Sequence, residues 1–407
     1  MQGLFFDLVS IKITNYTYKV FETLQDKKNN MSLFNVYPLF DITPVSAKDV
    51  YVYDDKNVEY LDLYGGHAVI SIGHSHPKYV SAITNQVQKL GFYSNAIQNP
   101  LQVELADKLE TLSGCKDYRL FLCNSGAEAN ENALKLSSFH NGKKKVLAFK
   151  NSFHGRTSAA VAATDNPKIV APINAQQQVD FVELGDLDAV EAILKQNDTC
   201  AVIVEFIQGV GGLDQSTTEF YQGLETLCKH YNTALIADEV QSGFGRTGDF
   251  FAFQKHNITP DIISIAKGMG NGFPVGGILI HPSIEASFGL LGTTFGGNHL
   301  ACAATLSVLE VLEDEKLMQN AKDIAEYFQE KAKELPNLKS IKGRGLMIGL
   351  EFDFSISELR KKLIFDHHIF TGSATNPNLI RILPPLTIQK KHIDVFFEAT
   401  CKVLKTL

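Results

Sequence analysis

The chain has 407 residues, and 38 Lys+Arg against 45 Asp+Glu give a formal net charge of −7. With 44% hydrophobic and 20% charged residues, wholesale disorder is excluded, and the length suits about two to three domains of roughly 150 residues. The mild acidity, with no basic block, excludes a surface built to neutralise nucleic-acid or lipid phosphates.

The opening Met1–Ser10 is apolar but carries Asp7, lacks a basic start and shows no small-residue cleavage site. It is expected to be neither a signal peptide nor an anchor. No apolar run approaches the ~18 residues that span a bilayer. Residues 1–30 end in the polar Gln25–Asn30 and are expected to be a disordered N-terminal extension or a mis-called start ahead of Met31.

From Val50 the pattern predicts a hairpin: strand Val50–Tyr53, turn Asp54–Asn57, strand Val58–Leu63. After Pro77 strands and helices alternate. Helices are predicted over Val103–Leu112, Ala127–His140 and Glu219–His230. Strands are predicted over Tyr118–Cys123, Lys145–Lys150, Cys200–Phe206, Ala234–Ala237 and Asp261–Ala266. Nearly all-apolar strands alternating with helices predict an α/β fold with a mostly parallel sheet covered on both faces. Beyond Asn298 come helices Leu300–Asn320 and Ala321–Leu335, strand Gly345–Phe352, helix Ile356–Asp366, strand Leu379–Leu383 and a closing helix His392–Leu407. In the last, Ile393, Phe396, Phe397, Val403 and Leu404 share one face. The expected division is a segment 31–75 packing with a small C-terminal α/β domain 301–407, and a large domain 76–300. The cysteines (Cys115, Cys123, Cys200, Cys228, Cys302, Cys401) are scattered without a C-x-x-C pair, which suits a reduced, cytoplasmic protein.

In open α/β sheets ligands bind beyond the carboxyl ends of strands. Strand Ala234–Ala237 ends in Asp238-Glu239, and a carboxylate there is costly unless a cation or strong donor meets it. Strand Asp261–Ala266 ends in Lys267 before the glycine-rich Gly268–Gly277, which leaves room at its nitrogen, as Schiff-base lysines need. Strand Tyr118–Cys123 runs into Asn124–Asn130, where Ser125 and Glu128 have capping-box spacing and the Gly126 and Ala127 amides suit a phosphate. Strand Lys145–Lys150 leads to Phe153 and Arg156 in one turn, suited to stacking on a planar ligand and binding a carboxylate.

Each feature alone has a structural explanation: a salt bridge, a solvated loop lysine, a helix cap. Together, in this order, they specify pyridoxal phosphate. Two other motifs carry less. Gly243-Phe-Gly-Arg-Thr-Gly248 matches a dinucleotide fingerprint, but Asp238-Glu239 would repel a pyrophosphate. His74-Ser-His76 has metal-ligand spacing without a nearby carboxylate or cysteine, so a turn before Pro77 and no metal centre are expected.

From about Phe34 to the C-terminus the sequence resembles the class III, ornithine-type aminotransferases, within them the acetylornithine/succinylornithine group. The resemblance rests on Asn124–Asn130, Phe153–Thr157, Glu205-Phe-Ile-Gln-Gly209, Asp238–Gly243, Ala266-Lys-Gly268, Thr293–Asn298 and Arg381–Leu386. It implies a fold-type I, pyridoxal-phosphate-dependent homodimer with sites at the subunit interface. By position, Lys267 would hold the cofactor and move the proton, Asp238 would pair with the ring nitrogen, and Gln241 would touch the ring hydroxyl. Phe153 would stack, and Gly126, Ala127 and the partner's Thr294 would bind phosphate. Arg156, Thr293 and Arg381 would bind substrate. The implied activity moves the δ-amino group of an N-acylated ornithine to 2-oxoglutarate, in arginine biosynthesis. An enzyme for another ω-amine, such as ornithine or 4-aminobutyrate, is the alternative; a silent cofactor-binding protein is disfavoured by the intact Lys267 and arginines. Two departures stand out. Val210 replaces the family's glutamate that pairs with the arginine matching Arg381, and His67 occupies a position where ornithine δ-aminotransferases have tyrosine. Either His67 or another group takes over the masking of Arg381, or Arg381 stays exposed; exposure is expected, because valine supplies neither charge nor acceptor.

Overall fold

The computed structural model describes residues 33–407, so the expectation for residues 1–30 lies outside the described residues. Residues 33–42 form no helix or strand, and Leu33, Phe34, Tyr37 and Leu39 are exposed. From Thr43 onward the chain is one compact unit built on three sheets.

The first sheet joins β1 (Pro44–Lys48), β2 (Tyr51–Asp54), β3 (Glu59–Asp62) and the distant β13 (Ile369–Phe370), which pairs with β3 in parallel. The expected hairpin is β2–β3. Its turn is tied by Asp54 Oδ1, which accepts from the amides of Lys56 (2.9 Å) and Val58 (2.8 Å). Helix α1 (Pro77–Lys89) follows, with His76 as its N-cap. It was not predicted from sequence: none of its residues is buried, so its apolar stripe is thin. Helix α2 (Pro100–Ser113) is capped by Asn99 and buries Leu105 and Leu109.

The central sheet has seven strands: β4 (Arg119–Cys123), β5 (Lys145–Phe149), β6 (Val179–Val182), β7 (Thr199–Val204), β8 (Ala234–Asp238), β9 (Ile262–Ile265) and β10 (Gly276–Ile280). Their order is β4-β10-β9-β8-β7-β5-β6, and only β10 runs antiparallel to its neighbours. Every residue of β7, β8 and β9 is buried. Alternation still divides them: Ala201, Ile203 and Ile236 join one core with Ala129 and Ala133 of helix α3 (Gly126–Asn141), while Val202, Val204 and Leu235 join the other. The second core contains Phe220 and Leu224 of helix α6 (Thr218–His230); α4 (Ser158–Ala162) and α5 (Leu187–Leu194) lie between. Strand β10 was read from sequence as part of a glycine-rich loop. Its first two residues are glycines because their backbone lies against that of Ser125 and Phe121, where a Cβ would stand 2.7 Å from each carbonyl oxygen.

Beyond Asn298, which caps it, helix α7 (His299–Asp314) ends six residues before the expected Asn320. The break is at Lys316, with φ +52°, and α8 (Leu317–Ala332) starts there. Asn320 lies in α8, and its side-chain amide donates to the carbonyls of Leu386 (2.7 Å) and Ile388 (2.9 Å). The third sheet has β11 (Leu338–Arg344), β12 (Met347–Phe352), β14 (Gly372–Ser373) and β15 (Leu379–Ile382). Gly345, at φ +58°, belongs to the turn rather than to the expected strand. Helix α9 (Ser357–Phe365) packs on β13 and on the closing helix α10 (Lys390–Leu404), in which Ile393, Phe396, Phe397 and Val403 are buried on the expected face.

Candidate active site

A cavity of about 350 Å³ opens at the carboxyl ends of β4, β8 and β9. Gly126, Ala127, Phe153, Arg156, Asp238, Gln241 and Lys267 all line it, so most of the sequence candidates converge. Thr293, Thr294 and Arg381 do not line it within this chain.

Asp238 ends a fully buried strand and is itself 4% exposed. The cost of that burial is met by donors. Oδ2 accepts from Asn130 Nδ2 (2.8 Å) and from His154 Nδ1 (2.7 Å), and Oδ1 accepts from the Val240 amide (3.1 Å). Oδ1 keeps a lone pair for a donor in the cavity. Neither Asn130 nor His154 was singled out from sequence, although both lie in quoted motifs. Their role depends on α3 and the 153–157 turn converging on one carboxylate, and spacing does not reveal that.

Lys267 follows β9 with φ +49°, an unfavourable backbone for a side chain with a Cβ, costing about 1–3 kcal/mol. Burial pushes its ammonium down to about 8, against the opposing fields of Asp238 and Glu205. A substantial neutral fraction near neutrality suits a nucleophile and proton carrier. Glu205, 6% exposed, accepts from the amides of Phe153 and Gly209 (2.9 Å each), and burial raises its pKa.

Ser125 caps α3 by accepting from the Glu128 amide (3.2 Å). The reciprocal half of the expected capping box differs: the Glu128 carboxylate accepts from the amide (2.8 Å) and side chain (3.0 Å) of Asn124 rather than from Ser125. The Gly126 and Ala127 amides, in the first turn, remain at the cavity wall. A Cβ on Gly126 would stand 2.5 Å from Val240 Cγ1, so the helix end approaches the β8 terminus only with glycine. Arg156 is exposed, its guanidinium 5.9 Å from the centre of the half-buried Phe153 ring.

Gln241 donates to the His67 carbonyl (3.2 Å), while its Oε1 is buried without a hydrogen-bond partner. A Cβ on Gly209 would stand 2.0 Å from that oxygen. Thr293 Oγ1 accepts from the Gly296 amide (3.0 Å) and lies 3.5 Å from Asn124 Nδ2; Thr294 is exposed.

Arg381 contradicts the expectation of exposure. It is 4% exposed, donating from Nε to Ser373 O (2.6 Å) and from Nη1 to Gly209 O (2.7 Å); Nη2 lies 3.4 Å from the Tyr64 hydroxyl. Backbone carbonyls and a phenol hold it, which no sequence motif discloses. Residue 210 is valine here, so no carboxylate at that position holds the guanidinium.

The two other motifs are structural. Arg246, in the glycine-rich Gly243–Gly248, is buried and donates to the carbonyls of Leu346, Pro384 and Ile70, bracing the chain rather than opening a phosphate loop. His74 meets Asp62 (2.8 Å) and His76 meets Glu315 (2.9 Å), carboxylates that only folding brings near.

The aminotransferase class-III family profile matches residues 35–404. The chain belongs to the class-III aminotransferase family. Among relatives of this class-III aminotransferase, the acetylornithine aminotransferase of Aquifex aeolicus is 41% identical over 89% of this chain and 96% of its own length. That of Bacillus subtilis is 39% identical, over 89% and 94%. A solved ornithine aminotransferase of Toxoplasma gondii, described with partial occupancy of PLP at its active site, superposes with a TM-score of 0.86. It is 27% identical and covers 96% of this chain and 98% of its own. The fold is therefore the fold-type I architecture, and the protein is a pyridoxal-phosphate-dependent aminotransferase. The residues present fit that cofactor. A buried carboxylate keeps a free acceptor in the cavity, a buried amide oxygen lacks a partner, and a glycine-tight helix end lies beside them.

Proposed function

We propose that this aminotransferase moves the δ-amino group of an N-acylated ornithine, acetyl- or succinyl-, to 2-oxoglutarate, in arginine biosynthesis. The observation that carries the site assignment is the single cavity shared by Lys267, Asp238 with its His154 and Asn130 donors, and the α3 N-terminus. The substrate reading is supported by relatives from bacteria and archaea at 35–41% identity that carry the acetylornithine name.

When bound, pyridoxal phosphate supplies the aldehyde that exchanges for an amine and the ring that accepts an electron pair. Asp238 Oδ1 would hold a proton at the ring nitrogen, with His154 and Asn130 keeping the carboxylate aimed. Gln241 Oε1 would accept from the ring hydroxyl, and Phe153 would pack on the ring face. Gly126 and Ala127 would donate their amides to the phosphate at the positive helix end. Lys267 Nζ would remove the proton from the carbon bearing the donor amine and return one to the cofactor's aldehyde carbon, on the other side of the nitrogen. Arg156, Thr293 and Arg381 orient substrate. Glutamate formation then resets the site in a ping-pong cycle.

The protein is further read as a cytoplasmic homodimer with its sites at the subunit interface. The exposed Thr294 is assigned to the partner's phosphate site. Among the described residues no helix is long and apolar enough to cross a membrane. Residues 76–300 are assigned to the large domain and 301–407 to the small one, with 31–75 packing on the latter.

A panel of acetylornithine, succinylornithine, ornithine and 4-aminobutyrate with 2-oxoglutarate tests the substrate. An acylated ornithine should give the highest kcat/KM; preference for a free ω-amine overturns the proposal.

A further inference from the structure

The segment between β3 and α1 holds four successive residues at positive φ: Gly65 (55°), Gly66 (55°), His67 (69°) and Ala68 (64°). Two of them carry a Cβ, so the backbone is strained, and such strain persists only where the surroundings impose it. Gly65 is imposed by contact, since a Cβ there would stand 2.9 Å from Leu383 O. The strained run connects two parts of the site. At one end the Tyr64 hydroxyl lies 2.5 Å from His67 Nδ1 and 3.4 Å from Arg381 Nη2. At the other, the His67 carbonyl accepts from Gln241 at the cavity wall. The Tyr64 ring lies against the Arg381 guanidinium, 5.8 Å from centroid to carbon, and is seated on Gly372, where a Cβ would stand 2.3 Å from the ring.

The Arg381 contact orders the donor and acceptor roles. Partial burial and the cations Arg381, Lys267 and Arg360 lower the His67 pKa; Arg381 Nη2 donates to the Tyr64 oxygen, which leaves the hydroxyl proton for His67 Nδ1 in the tautomer protonated at Nε2. Tyr64 therefore donates to His67 and turns an oxygen lone pair toward Arg381. Of the three guanidinium nitrogens, Nε and Nη1 make short bonds to carbonyls, and Nη2 has only the long contact to Tyr64. Nη2 is the end a carboxylate can take.

We propose that the Tyr64 hydroxyl is a two-position donor that sets this enzyme's discrimination between its substrates. With no carboxylate on Arg381 it donates to His67; with the α-carboxylate of a 2-oxo acid or of glutamate on Nη2 it turns and donates to that carboxylate. No carboxylate is displaced in this exchange, because residue 210 is valine. An amine donor that does not use Arg381 leaves the Tyr64–His67 bond in place. Tyr64 and His67 are thus specificity-determining residues, and the inference rests on the reading of Arg381 as a substrate-carboxylate site.

Single-turnover half-reactions of the holoenzyme variants test it. Tyr64→Phe should weaken glutamate and 2-oxoglutarate by roughly ten-fold or more, as loss of a charge-assisted hydrogen bond implies, and acyl-ornithine by less. His67→Gly fits the positive φ without strain and removes the resting partner, so it should act in the opposite direction and tighten 2-oxoglutarate. Opposite signs from two touching residues are not produced by general damage to the site. Equal weakening of both substrates in Tyr64→Phe, or the same sign in both variants, overturns the inference. Arg381→Lys separates the levels. If it weakens 2-oxoglutarate and Tyr64→Phe does not, the hydroxyl's role fails alone; if neither does, the reading of Arg381 fails with it.

Discussion

Asp238→Asn removes one charge and exchanges one acceptor for a donor, and the structure dictates which. Two donors, Asn130 Nδ2 and His154 Nδ1, converge on Oδ2, so the amide oxygen of Asn takes that side. The new NH2 then occupies the Oδ1 position, facing the Val240 amide and the cavity. A protonated ring nitrogen there meets a donor instead of a carboxylate. Losing one charge-assisted hydrogen bond costs about 1.5–3 kcal/mol, or roughly 10- to 100-fold in cofactor affinity. The loss in kcat should exceed this, because the ring proton is also what lets the cofactor accept an electron pair. Cofactor titration by fluorescence and steady-state kinetics on the saturated variant measure the two separately. A variant that saturates normally and keeps near-wild-type kcat refutes the role given to Asp238, and a 100-fold loss of affinity with unchanged kcat refutes the electronic part alone.

Lys267 should make cofactor uptake by the apo-protein pH-dependent. Its folded pKa of about 8 lies below the usual 10.5, so the reactive neutral amine grows as pH rises, and the uptake rate should climb with a midpoint near about 8. A rate flat between about pH 7 and pH 9, one unit either side of that value, contradicts the assignment. Glu239 is fully buried, and its carboxylate accepts from Ser242 Oγ (2.6 Å) and the Ala252 and Phe253 amides (2.9 Å each). Glu239→Gln turns at least one of these into a donor–donor clash and should lower unfolding free energy by about 1–3 kcal/mol by denaturant titration. Burial also raises its pKa to about 7 from the ordinary 4.5. The folded state thus retains the proton in that window, and this group's contribution to stability declines as pH rises from 4.5 to about 7 and is level above it. The Gln variant should lose that part of the slope.

The large sheet was legible because its strands are short, nearly all apolar and separated by helical periods; β7 and β8 are buried throughout. The candidate residues were legible where a polar group follows such a strand, as at Asp238 and Lys267. What escaped was long-range. His154, Asn130 and Tyr64 act through partners 84, 108 and 317 positions away, and no local pattern encodes those meetings. Arg381 was misread as exposed for the same reason. Its acceptors are carbonyls, present at every residue and therefore silent in sequence. The α7–α8 break was displaced because apolar residues continue across it at Leu317 and Met318, and the positive φ of Lys316 that marks it falls on a residue type that signals no turn.

The central claim is that Lys267 carries the cofactor in the cavity it shares with Asp238. Borohydride reduction of the holoenzyme, followed by digestion and mass spectrometry, tests it directly. The account predicts one pyridoxyl-modified peptide, containing Lys267, and none from Lys267→Ala treated identically. Stoichiometric modification of any other lysine contradicts it.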